Sequence, residues 1–278
     1  MSRDYSKSYY STDTKIDEDQ RSLQREIRLA RNIQMQLLNS CNLEIDNGRL
    51  TGSSIPARLI GGDYYDFYKL PNGKIRIVIG DVMGKGIPAA MLMILTRGAF
   101  RSAAESTSGP GETLTAMNNA IYEDLKKLRS FVTIFCCDWD AEENTLTYAN
   151  AGHVLPLHVQ NGRVNPIESV EGVMLGGLPD QIYPEKSFKI EHSDVLFFYT
   201  DGIIEAQNEH GEFYKLDRLK ETLLNNYHSS ADELEEAVVD HIFGFTKNQP
   251  QKDDITMVIL QNDAENASLK GFNSPMNT

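Results

Sequence analysis

Four short acidic segments of the chain share a pattern that could do chemistry. In each one an aspartate follows or adjoins an apolar run and is flanked by glycine or other turn residues. The aspartates are Asp63 in GGDYYD, Asp81 in GDVMGKG, Asp201 in YTDG, and Asp253 and Asp254 in KDDITMV. Aspartate disfavours strands, so at such a position it usually serves a turn, a helix cap or a ligand. Each segment taken singly favours a turn or a cap.

Taken together, the four segments favour a metal centre. Strand ends at one rim of a sheet can bring together carboxylates that are distant in sequence, and carboxylates that close cannot all stay ionised without cations. Hard oxygen ligands suit Mg²⁺ or Mn²⁺, whereas no histidine or cysteine spacing here indicates zinc. Two such cations could generate a nucleophile from water and stabilise phosphoryl oxygens during in-line attack. The pattern therefore points to metal-dependent phosphoryl chemistry.

The composition of the chain restricts its partners and its compartment. The 278 residues carry a formal net charge of −13, which argues against nucleic acid as the main partner. The longest nearly uncharged stretch, residues 86–100, is too short to span a bilayer and is interrupted by Arg97. The polar N-terminus lacks the apolar core of a secretory signal. We therefore expect a cytoplasmic protein that binds neither nucleic acid nor a membrane.

The three cysteines form neither a metal-binding spacing nor an even disulfide framework. They are Cys41 and the adjacent pair Cys136 and Cys137. Neighbouring residues of a strand point to opposite faces, so the pair is interpreted as core packing. We expect all three to be reduced thiols.

The aspartates must be positioned by strands and helices, and the sequence shows alternating signals for both. The segment NGKIRIVIGDV places Ile75, Ile77 and Ile79 on one face of a strand, and RSFVTIFCCDWD, DVLFFYTDG and DITMVILQ are further apolar strand-like runs. Helices are predicted at residues 87–105, 112–128, 216–226 and 231–245, and a hairpin-like region at residues 144–164. Strand clusters interrupted by helix pairs fit an α+β sandwich better than strict βαβ alternation.

The N-terminal region is predicted to be a flexible arm followed by a helix. Residues 1–18 are polar without periodicity, which is typical of a disordered arm. Residues 19–39 contain strong helix formers and no glycine or proline, with a seam formed by Leu23, Ile27, Ala30, Gln34 and Leu37. This helix could dock on the following domain, on a partner, or on a second copy. The predicted division is an arm at 1–18, a linker or regulatory helix at 19–42, one domain at 43–261 and a polar tail at 262–278.

Five motifs in a fixed order carry a family resemblance. The segments GGDYYD, GDVMGKGIPAAM, NAGH, YTDGIIEA and KDDITMV resemble the metal-dependent PPM (type 2C) serine/threonine protein phosphatases, in their bacterial SpoIIE-like branch. The preceding ARNIQMQLL resembles the linker helix that leads into that domain, so the resemblance covers residues from about 28 to 261. It implies a four-layer α-β-β-α sandwich that hydrolyses phosphoserine or phosphothreonine on a protein.

The resemblance also implies partners. The substrate expected within this branch is a phosphorylated STAS-type anti-sigma-factor antagonist in a partner-switching pathway. Apart from the resemblance, we hypothesise that regulation enters through residues 19–40, which would bind an activator protein or a second copy of the chain. This binding would shift the helix predicted at 87–105 and so adjust the geometry of the metals.

Residue by residue, the resemblance implies a centre of two or more Mn²⁺ or Mg²⁺ ions. Asp81 would bridge two ions, and the Val82 carbonyl would assist one of them. Asp201 and Asp253 would complete the other. Asp63 would hold a metal directly or through water.

Six further residues are expected around these ligands: Asp66, Gly84, Gly86, Asn150, His153 and Asp254. Asp66 and Asp254 would orient ligands or close turns, and the two glycines would let the chain turn tightly beside the metals. Asn150 and His153 are expected to shape a turn, with general-acid duty the less favoured alternative for His153. Lys85 is interpreted as a solvated lysine rather than a phosphate contact. Arg58 is a candidate phosphate contact.

Three alternatives to a phosphatase also have some support in the sequence. A diguanylate-cyclase hairpin requires an acidic residue where Tyr64 stands, and it leaves the other acidic motifs unexplained. In the glycine box of histidine-kinase-like ATPases, D-x-G-x-G, the first glycine comes one residue earlier than Gly84 does here. The third alternative is a catalytically weak, phosphatase-like module that only binds or regulates a partner. Retention of four aspartate motifs argues against it.

Overall fold

Two antiparallel β-sheets form the centre of the structure, a computed structural model that describes residues 6–38, 43–45, 48–247 and 249–262. The strands in the described residues are β1 Leu43–Ile45, β2 Gly48–Ile55, β3 Tyr64–Lys69, β4 Ile75–Val82, β5 Val132–Asp140, β6 Thr145–Ala151, β7 Leu157–Gln160, β8 Arg163–Pro166, β9 Lys186–Lys189, β10 Val195–Tyr199 and β11 Ile255–Asn262. Sheet A has the order β1-β2-β11-β10-β7-β8, and sheet B has the order β3-β4-β5-β6-β9.

Helix pairs cover the outer face of each sheet. The helices are α1 Ser6–Leu37, α2 Ile87–Ala104, α3 Pro110–Leu128, α4 Asp201–Ile204, α5 Lys215–Asn226 and α6 Ala231–Thr246. Helices α2, α3, α5 and α6 agree with the predicted ones to within about two residues at each end, and α6 begins with a capping box between Ser230 and Glu233. Among the described helices, none has the length and apolar character needed to cross a bilayer.

Three apolar clusters separate the four layers. One lies between sheet B and the α2–α3 pair and includes Phe100 and Cys136. A second fills the space between the sheets, where Ile77 and Cys137 point toward sheet A. A third lies between sheet A and the α5–α6 pair. The predicted α-β-β-α sandwich is therefore confirmed, and Cys136 and Cys137 are buried free thiols on opposite faces of β5 as expected.

The region predicted to resemble a single hairpin is divided between the two sheets. Strand β6 pairs with β5 and β9 in sheet B, whereas β7 and β8 form a hairpin in sheet A. Asn161 and Gly162 both have positive φ, at 50° and 69°, which suits the two-residue turn of this hairpin. The segment between β6 and β7 therefore crosses from one sheet to the other. Alternating apolar residues mark the strands but not the sheet that each one joins.

The N-terminal prediction was partly wrong. Helix α1 begins at Ser6, so residues 6–18 are helical rather than a flexible arm. Helix propagation adds one hydrogen bond per residue once a nucleus exists, and no glycine or proline interrupts residues 6–18. Residues 1–5, Cys41 and residues 263–278 lie outside the described residues, so the predictions made for them stay predictions.

Candidate metal centre

The sheet registers bring the acidic segments to one end of the sandwich. In sheet B, Tyr64 pairs with Gly80, which places Asp63 opposite Asp81 across the β3–β4 pair. In sheet A, β10 and β11 are antiparallel, so the residues after Tyr199 and those before Ile255 lie at the same edge. Asp201 begins α4 at that edge, and Asp253 and Asp254 precede β11. Each sheet therefore contributes about half of the cluster.

Burial and mutual repulsion raise the pKa values of three of these carboxyls. The pKa of Asp81 rises to about 7, mainly because the group is buried and next because of the charges of Asp201 and Asp253. Burial also raises the pKa of Asp63 well above its ordinary value, with further contributions from Asp81 and Asp254. The pKa of Asp201 is raised by burial, then by Glu205 and Asp253. The carboxyls thus act on each other as one acidic cluster.

Asp63 is held by a hydroxyl that sequence reasoning missed. The Thr200 hydroxyl donates a hydrogen bond of 2.8 Å to Asp63 Oδ2 and accepts one of 3.1 Å from the Thr256 backbone N–H. Both threonines are fully buried. The Thr256 N–H directs the hydroxyl proton toward the carboxylate, so sheet A orients a residue of sheet B. The only sequence signal for this role is the position of Thr200 directly before Asp201.

Asp254 organises the loop that leads to Asp63. Its Oδ1 accepts a hydrogen bond of 2.7 Å from the Ala57 N–H, and its Oδ2 accepts bonds of 2.7 Å from the Gly62 N–H and 3.4 Å from the Asp63 N–H. A Cβ on Gly61 would lie 2.3 Å from Asp254 Oδ2, so only glycine allows this approach. These contacts correspond to the turn-closing role expected for Asp254.

Asp253 forms an ion pair with Lys85. The Lys85 ammonium lies 2.6 Å from Asp253 Oδ2, and the Lys85 side chain is 40% exposed. Lys85 is therefore exposed, as a solvated lysine should be, but it also forms an ion pair that was not predicted. An ammonium near an acidic cluster lowers the electrostatic energy by pairing with one of the carboxylates. The presence of a lysine in the sequence does not show which carboxylate it will contact.

Asp66 contacts helix α2. Its carboxylate is fully buried and accepts a hydrogen bond of 2.7 Å from Arg101 Nε, a second bond from Arg101 Nη2, and one of 2.9 Å from the Tyr64 hydroxyl. Arg97 Nε lies 3.9 Å from the same carboxylate. Asp66 therefore attaches β3 to α2, a tertiary partnership that its place in GGDYYD did not reveal.

His153 bridges the two sheets in its neutral form. The carbonyl of Tyr199 can only accept, so Nε2–H of His153 donates to it at 3.1 Å, and Nδ1 accepts from the Thr133 hydroxyl at 3.0 Å. Burial lowers the pKa of His153 to about 4, which keeps the ring uncharged at pH 7. The Asn150 amide closes the turn through the His153 backbone N–H and C=O. These contacts suit a turn residue and do not suit a general acid.

The loop between β4 and α2 depends on backbone conformations that favour glycine. Gly84 has φ of 102° and Gly86 has φ of 74°, and both values strain other residues. A Cβ on Gly84 would meet no atom within 4 Å, so the requirement there is conformational, not steric. Val82 ends β4 immediately before this loop, and its carbonyl oxygen would lie 3.1 Å from a Cβ on Gly62.

The donor set suits a hard divalent cation. It consists of carboxylates whose repulsion a cation would relieve, and no histidine or cysteine of the described residues takes part. Across the part of the chain that the structure describes, no three acidic, histidine or cysteine side chains already enclose a point as a metal cage would. Asp253 is paired instead with Lys85.

Comparisons with known proteins find a family match and related curated sequences. Residues 71–263 match the protein family described as Stage II sporulation protein E (SpoIIE). The chain is 30% identical over 244 residues to Phosphoserine phosphatase RsbU of Bacillus subtilis (strain 168), covering 87% of this chain and 71% of RsbU. It is 31% identical to Protein IcfG of Synechocystis sp. (strain ATCC 27184 / PCC 6803 / Kazusa) over 267 residues, covering 84% of this chain and 41% of IcfG.

Solved structures share the fold. The SiaA-PP2C domain of Pseudomonas aeruginosa has a TM-score of 0.75 at 21% identity, covering 88% of this chain and 99% of that one. The structure of the RsbU and RsbW domains of Rv1364c from Mycobacterium tuberculosis has a TM-score of 0.65 at 22% identity, covering 80% of this chain and 62% of that one. The structure of RsbX in complex with magnesium has a TM-score of 0.60 at 16% identity, covering 80% of this chain and 98% of that one.

Proposed function

Because the chain belongs to the SpoIIE family of PP2C-type protein serine/threonine phosphatases, we propose that it hydrolyses phosphoserine or phosphothreonine on a protein with the aid of Mn²⁺ or Mg²⁺. The observation that carries this proposal is the convergence of Asp63, Asp81, Asp201 and Asp253 at one end of the sandwich, where burial and then the charges of neighbouring carboxylates raise the pKa values of the first three. Such repulsion destabilises an isolated cluster and favours cation binding. The magnesium complex of RsbX, a structure with the same fold, supports the same choice of ion.

The proposed metal ligands come from both sheets. Asp81 would bridge two cations, with the Val82 carbonyl and Asp63 on the sheet B side and Asp201 and Asp253 on the sheet A side. Bound cations would supply Lewis acidity, lowering the pKa of water and neutralising charge on the phosphoryl group. The chain's own contribution is to fix the carboxylates before substrate arrives, which reduces the reorganisation that the reaction requires.

Positive charge for the incoming phosphate has a candidate source in Arg58. This exposed side chain lies beside the glycine loop, because Arg58 Nη1 is 3.4 Å from the point where a Cβ on Gly86 would sit. A guanidinium can bind two phosphate oxygens at once. Arg58 would thus orient the phosphoryl group in a protein whose overall charge is strongly negative.

The proposed substrate is a phosphorylated STAS-type anti-sigma-factor antagonist in a partner-switching pathway. Support comes from the relative named Phosphoserine phosphatase RsbU and from the fold shared with the RsbU and RsbW domains of Rv1364c. A folded phosphoprotein would also suit a centre at one end of a sandwich, where the strand ends and loops are accessible. The cytoplasm, where such pathways operate, is the proposed location.

The proposed function is tested by phosphate release. The purified chain should release phosphate from a phosphoserine-bearing STAS protein in the presence of Mn²⁺, and excess EDTA should stop the reaction. A phosphotyrosine peptide of equal charge serves as the control substrate and should not be hydrolysed. If the chain binds the phosphoprotein but never hydrolyses it at any Mn²⁺ or Mg²⁺ concentration, the alternative of a catalytically weak binding or regulatory module replaces this proposal.

The proposed route of regulation runs through the C-terminal end of α1. The buried Gln34 amide donates a hydrogen bond of 2.8 Å to the Gly61 carbonyl and accepts one of 3.1 Å from the Gly61 N–H. Arg97 of α2 donates one of 3.0 Å to the Leu37 carbonyl. An activator protein or a second copy that bound residues 19–40 and moved α1 would therefore move both the loop before Asp63 and helix α2.

We expect Gln34→Ala to lower phosphatase activity by roughly tenfold, because two buried polar groups of Gly61 lose their partner at a cost of about 1–3 kcal/mol. Amide exchange at Gly61 should become faster. Gln36→Ala, at an exposed position of the same helix, is the matched control and should change neither. Equal activity and equal exchange in the two variants would contradict the route through α1.

A further inference from the structure

We propose that Lys85 is an internal counter-ion of the acidic cluster and competes with the divalent cation for Asp253. The inference rests on the proposed metal-dependent function and adds a residue that sets how tightly the cation is held. It concerns the affinity of the site for the cation, which the proposed roles of the aspartates do not specify.

The contacts of Asp253 carry the inference. Its Oδ2 lies 2.6 Å from the Lys85 ammonium, and its Oδ1 accepts a hydrogen bond of 3.0 Å from the Asp254 N–H. The Lys85 ammonium also donates to the Lys252 carbonyl at 2.5 Å. Both oxygens of Asp253 therefore already have a hydrogen-bond donor, and a cation bound by Asp253 must displace or share one of them.

The loop geometry directs Lys85 toward this position. Lys85 stands between two glycines whose positive φ values turn the chain sharply after β4. Its ammonium consequently reaches residues 252 and 253, which come from the other sheet. Lys85 is thus paired with one of the two carboxylates proposed to hold the same cation, and the other, Asp201, begins α4 at the same edge of sheet A.

Competition follows from charge. A divalent ion that approaches Asp201 and Asp253 meets a positive ammonium within a few ångströms, and the ion pair must be broken or lengthened. Removing the ammonium should strengthen cation binding. It should also leave the metal-free cluster without its nearest positive charge and so destabilise the metal-free fold. Opposite effects on the metal-free and metal-bound forms distinguish competition from a simple loss of structure.

The experiment compares Lys85→Gln with Lys252→Gln in the full chain. Both variants remove one positive charge from neighbouring parts of the surface, but the Lys252 ammonium contacts the amide oxygen of Gln207 and not a carboxylate. Mn²⁺ binding is measured by titration calorimetry and by the electron paramagnetic resonance signal of free Mn²⁺. Thermal unfolding is followed with Mn²⁺ and with EDTA. Lys85→Arg, which keeps the charge, should bind Mn²⁺ like the wild type.

We expect Lys85→Gln to lower the Kd for Mn²⁺ by about fivefold or more, and Lys252→Gln by less than about twofold. With EDTA, Lys85→Gln should unfold at a lower temperature than Lys252→Gln. Equal Mn²⁺ affinity in the two variants, while the wild type binds Mn²⁺, would overturn the inference and leave the proposed function intact. Absence of Mn²⁺ binding by the wild type would overturn both.

Discussion

Replacing Asp81 with asparagine should abolish phosphate release and at the same time stabilise the metal-free protein at neutral pH. Asp81 is the proposed bridge between two cations, and loss of such a ligand removes several kcal/mol of transition-state stabilisation, a reduction in rate on the order of a thousandfold. In the metal-free protein the same charge is buried near Asp201 and Asp253, so its removal relieves repulsion. Activity and stability should therefore change in opposite directions.

The pH dependence gives the sign of the stability effect. The folded pKa of Asp81, about 7, lies above the ordinary value of 3.8, so between these values the folded state binds more protons than the unfolded state. Metal-free stability should therefore fall as pH rises from about 4 to 7. The contribution of Asp81 is at most about 4 kcal/mol, since one pKa unit corresponds to about 1.4 kcal/mol. Asp81→Asn should flatten this part of the profile.

Thermal unfolding in EDTA between pH 4 and 8, together with phosphate release at saturating Mn²⁺, measures both effects. Asp124→Asn, on the exposed side of α3, is the matched control and should alter neither quantity. An Asp81→Asn variant that kept most of its activity would remove Asp81 from the proposed metal ligands. A variant that unfolded more easily than the wild type at pH 7 would contradict the electrostatic account.

Asp254→Ala should lose activity and stability together. Removing its carboxylate leaves the N–H groups of Ala57 and Gly62 without their acceptor. Hydrogen bonds to a charged group contribute about 1.5–3 kcal/mol each, so we expect a loss of roughly 3–5 kcal/mol in the free energy of unfolding. The loop before Asp63 would then no longer be fixed, and activity should fall with it.

Asp253→Ala is the informative comparison because it changes the adjacent carboxylate. Asp253 pairs with the partly exposed Lys85 and supports no distant backbone group, so its removal should abolish Mn²⁺-dependent activity with a much smaller loss of stability. Urea unfolding monitored by circular dichroism separates the two variants. If Asp253→Ala were the more destabilising of the pair, the assignment of Asp254 as the residue that positions the loop would fail.

The sequence pattern predicted an α+β sandwich with acidic segments at strand ends, and the family resemblance implied the four layers. Apolar periodicity located the four covering helices, and an aspartate beside each strand end indicated a common rim. The sequence could not assign a separate role to each aspartate, because the roles depend on which residues each aspartate contacts in the tertiary structure. Asp66 meets Arg101 of α2, Asp254 meets the N–H groups of residues about 190 positions away, and Asp253 meets Lys85. Each pairing exists only once separate elements have packed together in the tertiary structure.

The same limit applies to the polar residues that support the cluster. Thr200, Gln34 and His153 act through backbone groups of other elements, and a backbone group has no residue identity that a sequence pattern could reveal. The sheet joined by β6 and the sheet joined by β7 were also undetermined, since both strands alternate in the same manner. Local pattern specifies elements, whereas the partners of those elements depend on packing.

The division of the acidic cluster between two sheets makes the proposed metal centre sensitive to the spacing of those sheets. Asp81 lies in β4 and Asp63 directly before β3 of sheet B, whereas Asp201 follows β10 and Asp253 precedes β11 of sheet A. The apolar core between the sheets fixes their separation. Side chains of this core, such as Ile77 and Phe198, thereby act as spacers that determine the distance between the carboxylates of the two sheets. Volume changes in that core would retune the affinity for a cation without altering any ligand.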